Sequence, residues 1–451
     1  VLTEVVKLIQ NFRFRYNSQQ QVLGDFFELM LNHGVKQSEG QFFTPIPIVR
    51  YIILSLGFEK IIQRKLENDE SFILPKILDY ACGAGHFLTE SIEELQNILQ
   101  KTDISKLTEE QQAKITEYKK HTDWAKDYIF GIEKDYRLAR TSQIACYING
   151  DGDANIIFGD GLENHNLDLY KKKFDVVVAN PPYSVSSFKN YLNVGKTNFD
   201  LFEHLSEKSS QIEALFVERT KQVLADNGLA GIILPSTILS NTGIYTKARE
   251  ILLRHFEIKA ITELGSKTFI ATGTTTVILF LKRRNDDFLK DREYIANDFY
   301  NHIPRPKHLT YIDAYRLLKM FTDHREFDYD EYHRFLAFRS DYSSHKISEK
   351  LAETEMFKEY KEAFDNSSEI KTLKKKSYFI KYSPEEKEEE LTKRYYYYCK
   401  DIEKEKFLYF MLCLGDAEKE ADRIEEYYKP QQTVIVKQET QTTNKKNFWV
   451  T

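Results

Sequence analysis

Paired cysteines are missing from this chain. Its four cysteines, Cys82, Cys146, Cys399 and Cys413, are scattered over 451 residues without metal-ligand spacing, which excludes a disulfide framework and a structural zinc site. A reducing, cytoplasmic setting is therefore expected. The eleven histidines are just as dispersed and form no His-Glu-x-x-His arrangement, so no metal is expected. No apolar run approaches the length of a membrane span, and the N-terminus lacks the basic-then-apolar pattern of a signal peptide. A surplus of positive charge is also lacking. The net charge of −5 argues against a wholly basic nucleic-acid coat, yet a basic cleft can lie under an acidic exterior.

Core material, by contrast, is ample. Apolar residues make up 41% and charged residues 29%, and the length calls for two or three domains. The chain starts at Val1 and stops after a polar stretch, as a piece of a longer polypeptide would. Residues 1–40 carry helical periodicity in Val22, Phe26, Phe27, Met30 and Leu31. Between 41 and 285 strands alternate with helices. Strands are predicted at 77–80, 128–133, 154–158, 174–179, 229–234, 258–264 and 274–281, and helices at 48–56, 87–99, 136–147 and 210–224, the last amphipathic. The charged stretch 101–127 reads as an external insertion or a solvated helix. This order predicts an α/β fold built on a seven-stranded, mostly parallel, Rossmann-like sheet covered on both faces. No helix separates the last two strands, which allows an antiparallel hairpin at one edge. Residues 286–437, rich in Glu, Lys, Tyr and Phe, read as a helical connector or arm, and 438–451 as a linker. Four consecutive tyrosines at 395–398 cannot share one helix face, so burial against neighbouring helices outweighs a base-stacking platform. Lys371 to Lys376 read as a solvated face.

Two strand ends carry the chemistry. The apolar run 174–179 leads straight into Asn180-Pro181-Pro182-Tyr183, at the mouth where ligands bind in open α/β sheets. An amide, two residues of fixed φ without N–H, and an aromatic plane can grip a flat heterocycle bearing an exocyclic amine. Gly83 and Gly85 follow the first strand, where glycine lets backbone and ligand approach closely. Asp79 at the same strand end suits a cationic amino group and would repel a pyrophosphate. The third glycine of a dinucleotide fingerprint is missing too, so an amino-acid-bearing cofactor is favoured over NAD. Glu133, closing the second strand, can accept both ribose hydroxyls or simply start a helix. Asp160, after the third, can accept from an adenine amine, with Ile132 and Phe158 as apolar walls. Phe43 and Thr44, ahead of the first strand, can fold back over the cofactor. Two ligands meeting at one sheet edge imply group transfer.

In this order the residues resemble gamma-class amino-methyltransferases acting on adenine in DNA: Phe43-Thr-Pro45, Asp79-x-x-Cys-Gly-x-Gly-x-Phe87, Glu133, Asp160 and Asn180-Pro-Pro-Tyr183. The flanks, 22–30 running into 40–45 and Gly273 to Phe280, resemble the modification subunit of type I restriction-modification systems, or the methylase portion of related single-chain enzymes. The resemblance spans about residues 20–285. Tyr80 departs from the family's usual proline, and Ala81-Cys82 from its usual pair.

The resemblance implies transfer of a methyl group from S-adenosyl-L-methionine to adenine N6 in double-stranded DNA. Phe43, Thr44, Asp79, Cys82, Gly83, Gly85, Glu133 and Asp160 would hold the cofactor. Asn180 and the carbonyl of Pro181 would take the target amine, Pro182 would stiffen the turn, Tyr183 would stack on a flipped base, and Phe269 would wall the target pocket. It also implies a specificity subunit or fused target-recognition domain, and a restriction nuclease, as partners. The same tetrapeptide serves RNA bases and glutamine amides, since all present a planar amine. A non-catalytic scaffold would be expected to have lost its acids or Asn180, and this chain keeps them.

Overall fold

The computed structural model describes residues 44–147, 155–163, 173–192, 198–265, 268–269, 275–310, 312–336 and 347–414. Phe43, the helical segment expected over 1–40 and the linker expected over 438–451 lie outside them. The chain divides into two compact units, the first ending at Lys290 and the second starting at Asp291.

In the first unit, helices α1 (Ile46–Ser55) and α2 (Phe58–Glu67) lead to strand β1 (Ile77–Asp79). Helix α3 (His86–Lys101), helix α4 (Glu109–Lys120), strand β2 (Ile129–Glu133), helix α5 (Tyr136–Cys146) and strand β3 (Asn155–Phe158) follow. Next come β4 (Phe174–Ala179), α6 (Glu213–Val223), β5 (Leu224–Pro235), α7 (Ile244–His255), β6 (Phe256–Leu264) and β7 (Thr276–Arg283). The seven strands form one sheet in the order β3-β2-β1-β4-β5-β7-β6. Strands β1 to β5 pair in parallel, while β7 runs antiparallel between β5 and β6. The expected edge hairpin is therefore present, with its second strand inserted against β5.

Side chains alternate across a strand, so a run buried on both faces must be apolar throughout. In β4, Val176 and Val178 join the core that holds Val49, Ile52, Leu88 and Ile92, from α1 and α3. Val177 and Ala179 join the opposite core with Leu215, Val217, Ala248 and Leu252, from α6 and α7. This is the helix-sheet-helix layering the alternation predicted.

One expectation needs correction. The helix expected over 210–224 is shorter, and it is not amphipathic. Glu213, Glu218 and Arg219 are each at most 2% exposed, alongside its apolar residues. Their charges face backbone groups of loops instead of water. Glu218 accepts from the amides of Asp200 (2.7 Å) and Leu201 (3.0 Å), and Arg219 donates to the Leu162 carbonyl. The stretch 101–127, read as an external insertion or a solvated helix, does carry a helix, most of whose residues are not buried. Helix α4 opens on a capping box between Thr108 and Gln111, and Ile115 is fully buried in the core.

The second unit is helical among its described residues, through α8 (Asp286–Asn301, which starts in the first unit), α9 (Ala314–His324), α10 (Tyr329–Leu336), α11 (Glu355–Asn366) and α12 (Pro384–Leu414). Its buried centre is Glu403, which accepts from Tyr332 Oη (2.8 Å) and pairs with Arg325 (3.0 Å). Of the four tyrosines, Tyr395 and Tyr396 donate to the carbonyls of Phe357 and Phe335, both at 2.7 Å. Packing uses them, as expected. Lys371, Lys374, Lys375 and Lys376 are exposed. No helix among the described residues is long and apolar enough to cross a membrane.

Candidate active site

Parallel pairing puts the C-terminal ends of β1 to β4 on one edge. Asp79 is level with Gly131 of β2, Glu133 with Phe158 of β3, and Ala179 with Ile232 of β5. Strand order reverses between β1 and β4, the kind of switch point where a ligand crevice opens. A cavity of about 690 Å³ lies there, within the size range of small-molecule sites. Glu133, Asp160, Asn180 and Pro182 line it, together with Gly83, Tyr136, Tyr191 and Phe216.

Asp79 is fully buried, next to Tyr80 and Ala81, which line the cavity. Its Oδ1 accepts from the Ala81 amide at 3.0 Å, and its Oδ2 has no hydrogen-bond partner among the described residues. Burial holds this carboxyl well above the usual range, the Ala81 amide opposes that, and the charge of Glu133 adds to it. Glu133 bridges two turns, accepting from Gly83 N at 2.8 Å and Asp135 N at 2.7 Å. Burial raises its pKa against the pull of those amides. The helix-starting duty falls to Asp135, which caps α5 through the amides of Arg137 and Leu138. Glu133 is thus released from that simpler role. Asp160 accepts from Leu162 N (3.0 Å) and pairs with Lys134 (2.9 Å).

The glycine turn needs its glycines for two separate reasons. Gly83 has φ +54° and faces the cavity, and a Cβ there would meet open space. Gly85 has φ +89° and presses on α5, where a Cβ would sit 2.5 Å from Ser142 Oγ. Gly85→Ala combines a disfavoured backbone with a clash, and is expected to cost about 1–3 kcal/mol of stability. A thermal melt checks this, and an unchanged Tm counts against the close packing. Cys82 serves the same packing. It is buried, its amide donates to Ile132 O at 3.0 Å, and its thiol, raised by burial first of all, lies 3.7 Å from Ser142 Oγ.

Asn180 leaves β4 with its Nδ2 donating to Thr44 Oγ1 at 3.1 Å. Thr44, expected over the cofactor, is buried and touches the tetrapeptide itself. Tyr183 is 2% exposed and is not among the residues lining the cavity. Phe269 lies in the apolar core with Val49 and Phe280 and likewise does not line the cavity. Ile132 is buried in the other core, and the exposed Phe158 packs edge-on against Tyr136 at 5.5 Å. Tyr136, which does line the cavity, had no sequence signal beyond a helix start. Glu213 was missed as well. It accepts from Ser184 N at 3.3 Å and from Tyr245 Oη, and with its charged neighbours on α6 it reads as the polar face of an amphipathic helix.

The N-6 DNA methylase family profile matches residues 18–392. The type II restriction enzyme and methyltransferase RM.Eco57I of Escherichia coli is 26% identical over 322 residues, covering 59% of this chain and 32% of that protein. The type I restriction enzyme EcoEI methylase subunit, also of Escherichia coli, is 25% identical over 63% of this chain and 51% of its own. The chain thus spans a third to a half of the length of these relatives. A modification subunit of a putative type I restriction enzyme from Vibrio vulnificus YJ016 superposes with a TM-score of 0.45 at 23% identity, over 62% of this chain and 53% of that one.

Proposed function

The chain belongs to the N-6 DNA methylase family, and from that premise we propose that it transfers a methyl group from S-adenosyl-L-methionine to the N6 amine of adenine in double-stranded DNA, as the modification activity of a restriction-modification system. The observation that carries this reading is the meeting of Glu133, Asp160, Asn180 and Pro182 around one cavity, with Asp79 just behind it. The donor set fits the cofactor. Asp79 Oδ2 is a buried acceptor awaiting a cationic amine, Glu133 keeps lone pairs for hydroxyls, and the space above Gly83 is open. When bound, S-adenosyl-L-methionine supplies an electrophilic methyl group.

The chain's own work is alignment. The lone pair of adenine N6 is conjugated with the ring and is a weak nucleophile. Asn180 Oδ1 and the Pro181 carbonyl would accept its two hydrogens and favour a tetrahedral nitrogen. Pro181 and Pro182 have fixed φ and no N–H, so the turn holds those acceptors stiffly. A stacked base cannot reach a pocket at a sheet edge, so the target must flip out of the duplex, and Tyr183, buried and off the cavity in the DNA-free chain, would turn outward to stack on it. Tyr183→Ala is expected to raise the KM for duplex DNA by about 5–150-fold, equivalent to about 1–3 kcal/mol of stacking. Unchanged DNA kinetics would remove Tyr183 from that role.

We assign sequence reading to a specificity subunit or a fused target-recognition domain, and cleavage to a nuclease subunit or domain. The similarity to methylase subunits and to a restriction enzyme carrying its own methyltransferase supports both assignments. A cytoplasmic setting accords with four cysteines, none of which forms a disulfide. Methylation mapping of genomic DNA with and without the gene tests the whole reading. N6-methyladenine at one recurrent motif, lost with the gene, is the expected result. An unchanged map, or methyl transfer to RNA or a glutamine amide in its place, would end it.

A further inference from the structure

Glu213 is completely buried, yet nothing in the methyl-transfer scheme uses it. Its two carboxylate oxygens point to two other segments. Oε2 accepts from Ser184 N at 3.3 Å, and Oε1 accepts from the hydroxyl of Tyr245 at the start of α7. Ser184 directly follows the tetrapeptide and has φ +59°, and Ser187, three residues on, has φ +54°. A side chain in that left-handed region costs about 1–2 kcal/mol, so such a turn persists only when its surroundings impose it. An apolar residue in place of Glu213 would leave the Ser184 amide and the Tyr245 hydroxyl without this acceptor. Burial raises the carboxyl's pKa first of all, while the Tyr245 and Ser184 donors pull it down. The other buried charges of α6 behave alike. Glu218 holds the amides of Asp200 and Leu201, and Arg219 holds the carbonyl of Leu162, just after the cavity-lining Asp160 and Gly161.

We propose that Glu213 is a positioning residue that latches the exit of the Asn180–Tyr183 turn, so that the Ser184 kink and α7 together hold Asn180 and Tyr183 in place. This rests on the methyl-transfer reading above. The latch itself can be read without any methyl transfer.

The test uses the full chain and the variants Glu213→Ala, Glu213→Asp, Glu213→Gln and the double variant Ser184→Gly/Glu213→Ala. In Glu213→Ala the amides of residues 183–188 should exchange with deuterium about tenfold faster, and kcat should fall about tenfold, with cofactor affinity within about twofold. Glu213→Asp keeps the charge but withdraws its reach, so it should show the same signs should the alanine variant fail to fold. Glutamine still accepts from Ser184 and can donate to Tyr245 Oη, and should keep kcat within about threefold. Glycine adopts φ +59° without strain, so Ser184→Gly should recover part of the activity lost in Glu213→Ala, which a mere packing defect would not allow. Unchanged exchange at 183–188 in both the alanine and aspartate variants, faster exchange with unchanged kcat, or no recovery in the double variant overturns the latch. If the wild-type chain, assayed together with its specificity subunit or target-recognition domain, methylates no adenine, the methyl-transfer reading falls, and the exchange data alone decide whether Glu213 restrains the turn.

Discussion

Asn180→Ala is expected to lower methyl transfer by about 10²–10³-fold, the usual size when one preorganised transition-state contact is removed. Cofactor affinity should stay within about twofold, because in the proposed scheme Asn180 would grip the substrate amine and the acids of β1 to β3 the cofactor. The structure supports a large effect. Asn180 stands at the end of a strand whose residues from 176 to 179 are fully buried, is followed by two prolines, and has its amide nitrogen anchored on the buried Thr44. Little slack remains for water or a neighbour to take over the acceptor's place. Calorimetry with the cofactor alone, beside single-turnover methylation of duplex DNA, separates the two quantities. Near-normal single-turnover rates in the variant would remove the amine-clamp mechanism.

Asp79→Asn is expected to weaken cofactor binding by about 10–150-fold, the equivalent of one charge-assisted hydrogen bond of about 1.5–3 kcal/mol. The substitution keeps the volume and removes the charge, so the fully buried site should not collapse. A pH signature accompanies it. Burial raises the Asp79 pKa in the ligand-free protein, with Glu133 reinforcing the effect. A neutral carboxyl is a poor partner for a cationic amine, so affinity should improve as pH rises through that raised value. Stability runs the other way. The folded, ligand-free protein holds this proton more tightly than the unfolded chain does. The contribution is therefore full below the unfolded carboxylate value of about 3.9 and is lost as pH climbs toward the folded one. Thermal melts across pH should show ligand-free stability declining over that window, and the stabilisation by cofactor growing. Glu133, also raised, moves in the same sense, so Asp79→Asn should flatten the trend without abolishing it. A flat affinity profile in the wild-type chain would exclude Asp79 as the amine's partner.

Much of the site was legible because its parts are local. Five of the six residues in the run 174–179 are apolar, Asp175 being the exception, as a doubly covered strand requires of its buried positions, and the tetrapeptide follows it without a gap. The acids at 79, 133 and 160 each stand at or just beyond a strand end, so a parallel sheet had to bring them to one edge. What could not be read were partners far apart in the chain. Thr44 and Asn180 are 136 positions apart, and Ser184 and Glu213 are 29 apart. Glutamates and an arginine on α6 carry the local signature of a wet helix face. Whether such a charge meets water or a loop amide depends on what folds over it.

By itself the sequence determined which residues stand at which strand ends, because period-2 burial and glycine or proline turns are properties of short segments. Only the tertiary structure decided which acid faces the cavity and which caps a helix, and where α6 turns its charges. It also decided that β7 inserts between β5 and β6. Those choices follow from desolvation: a buried polar group must find a partner, and the partner is supplied by whichever segment the packing brings within reach.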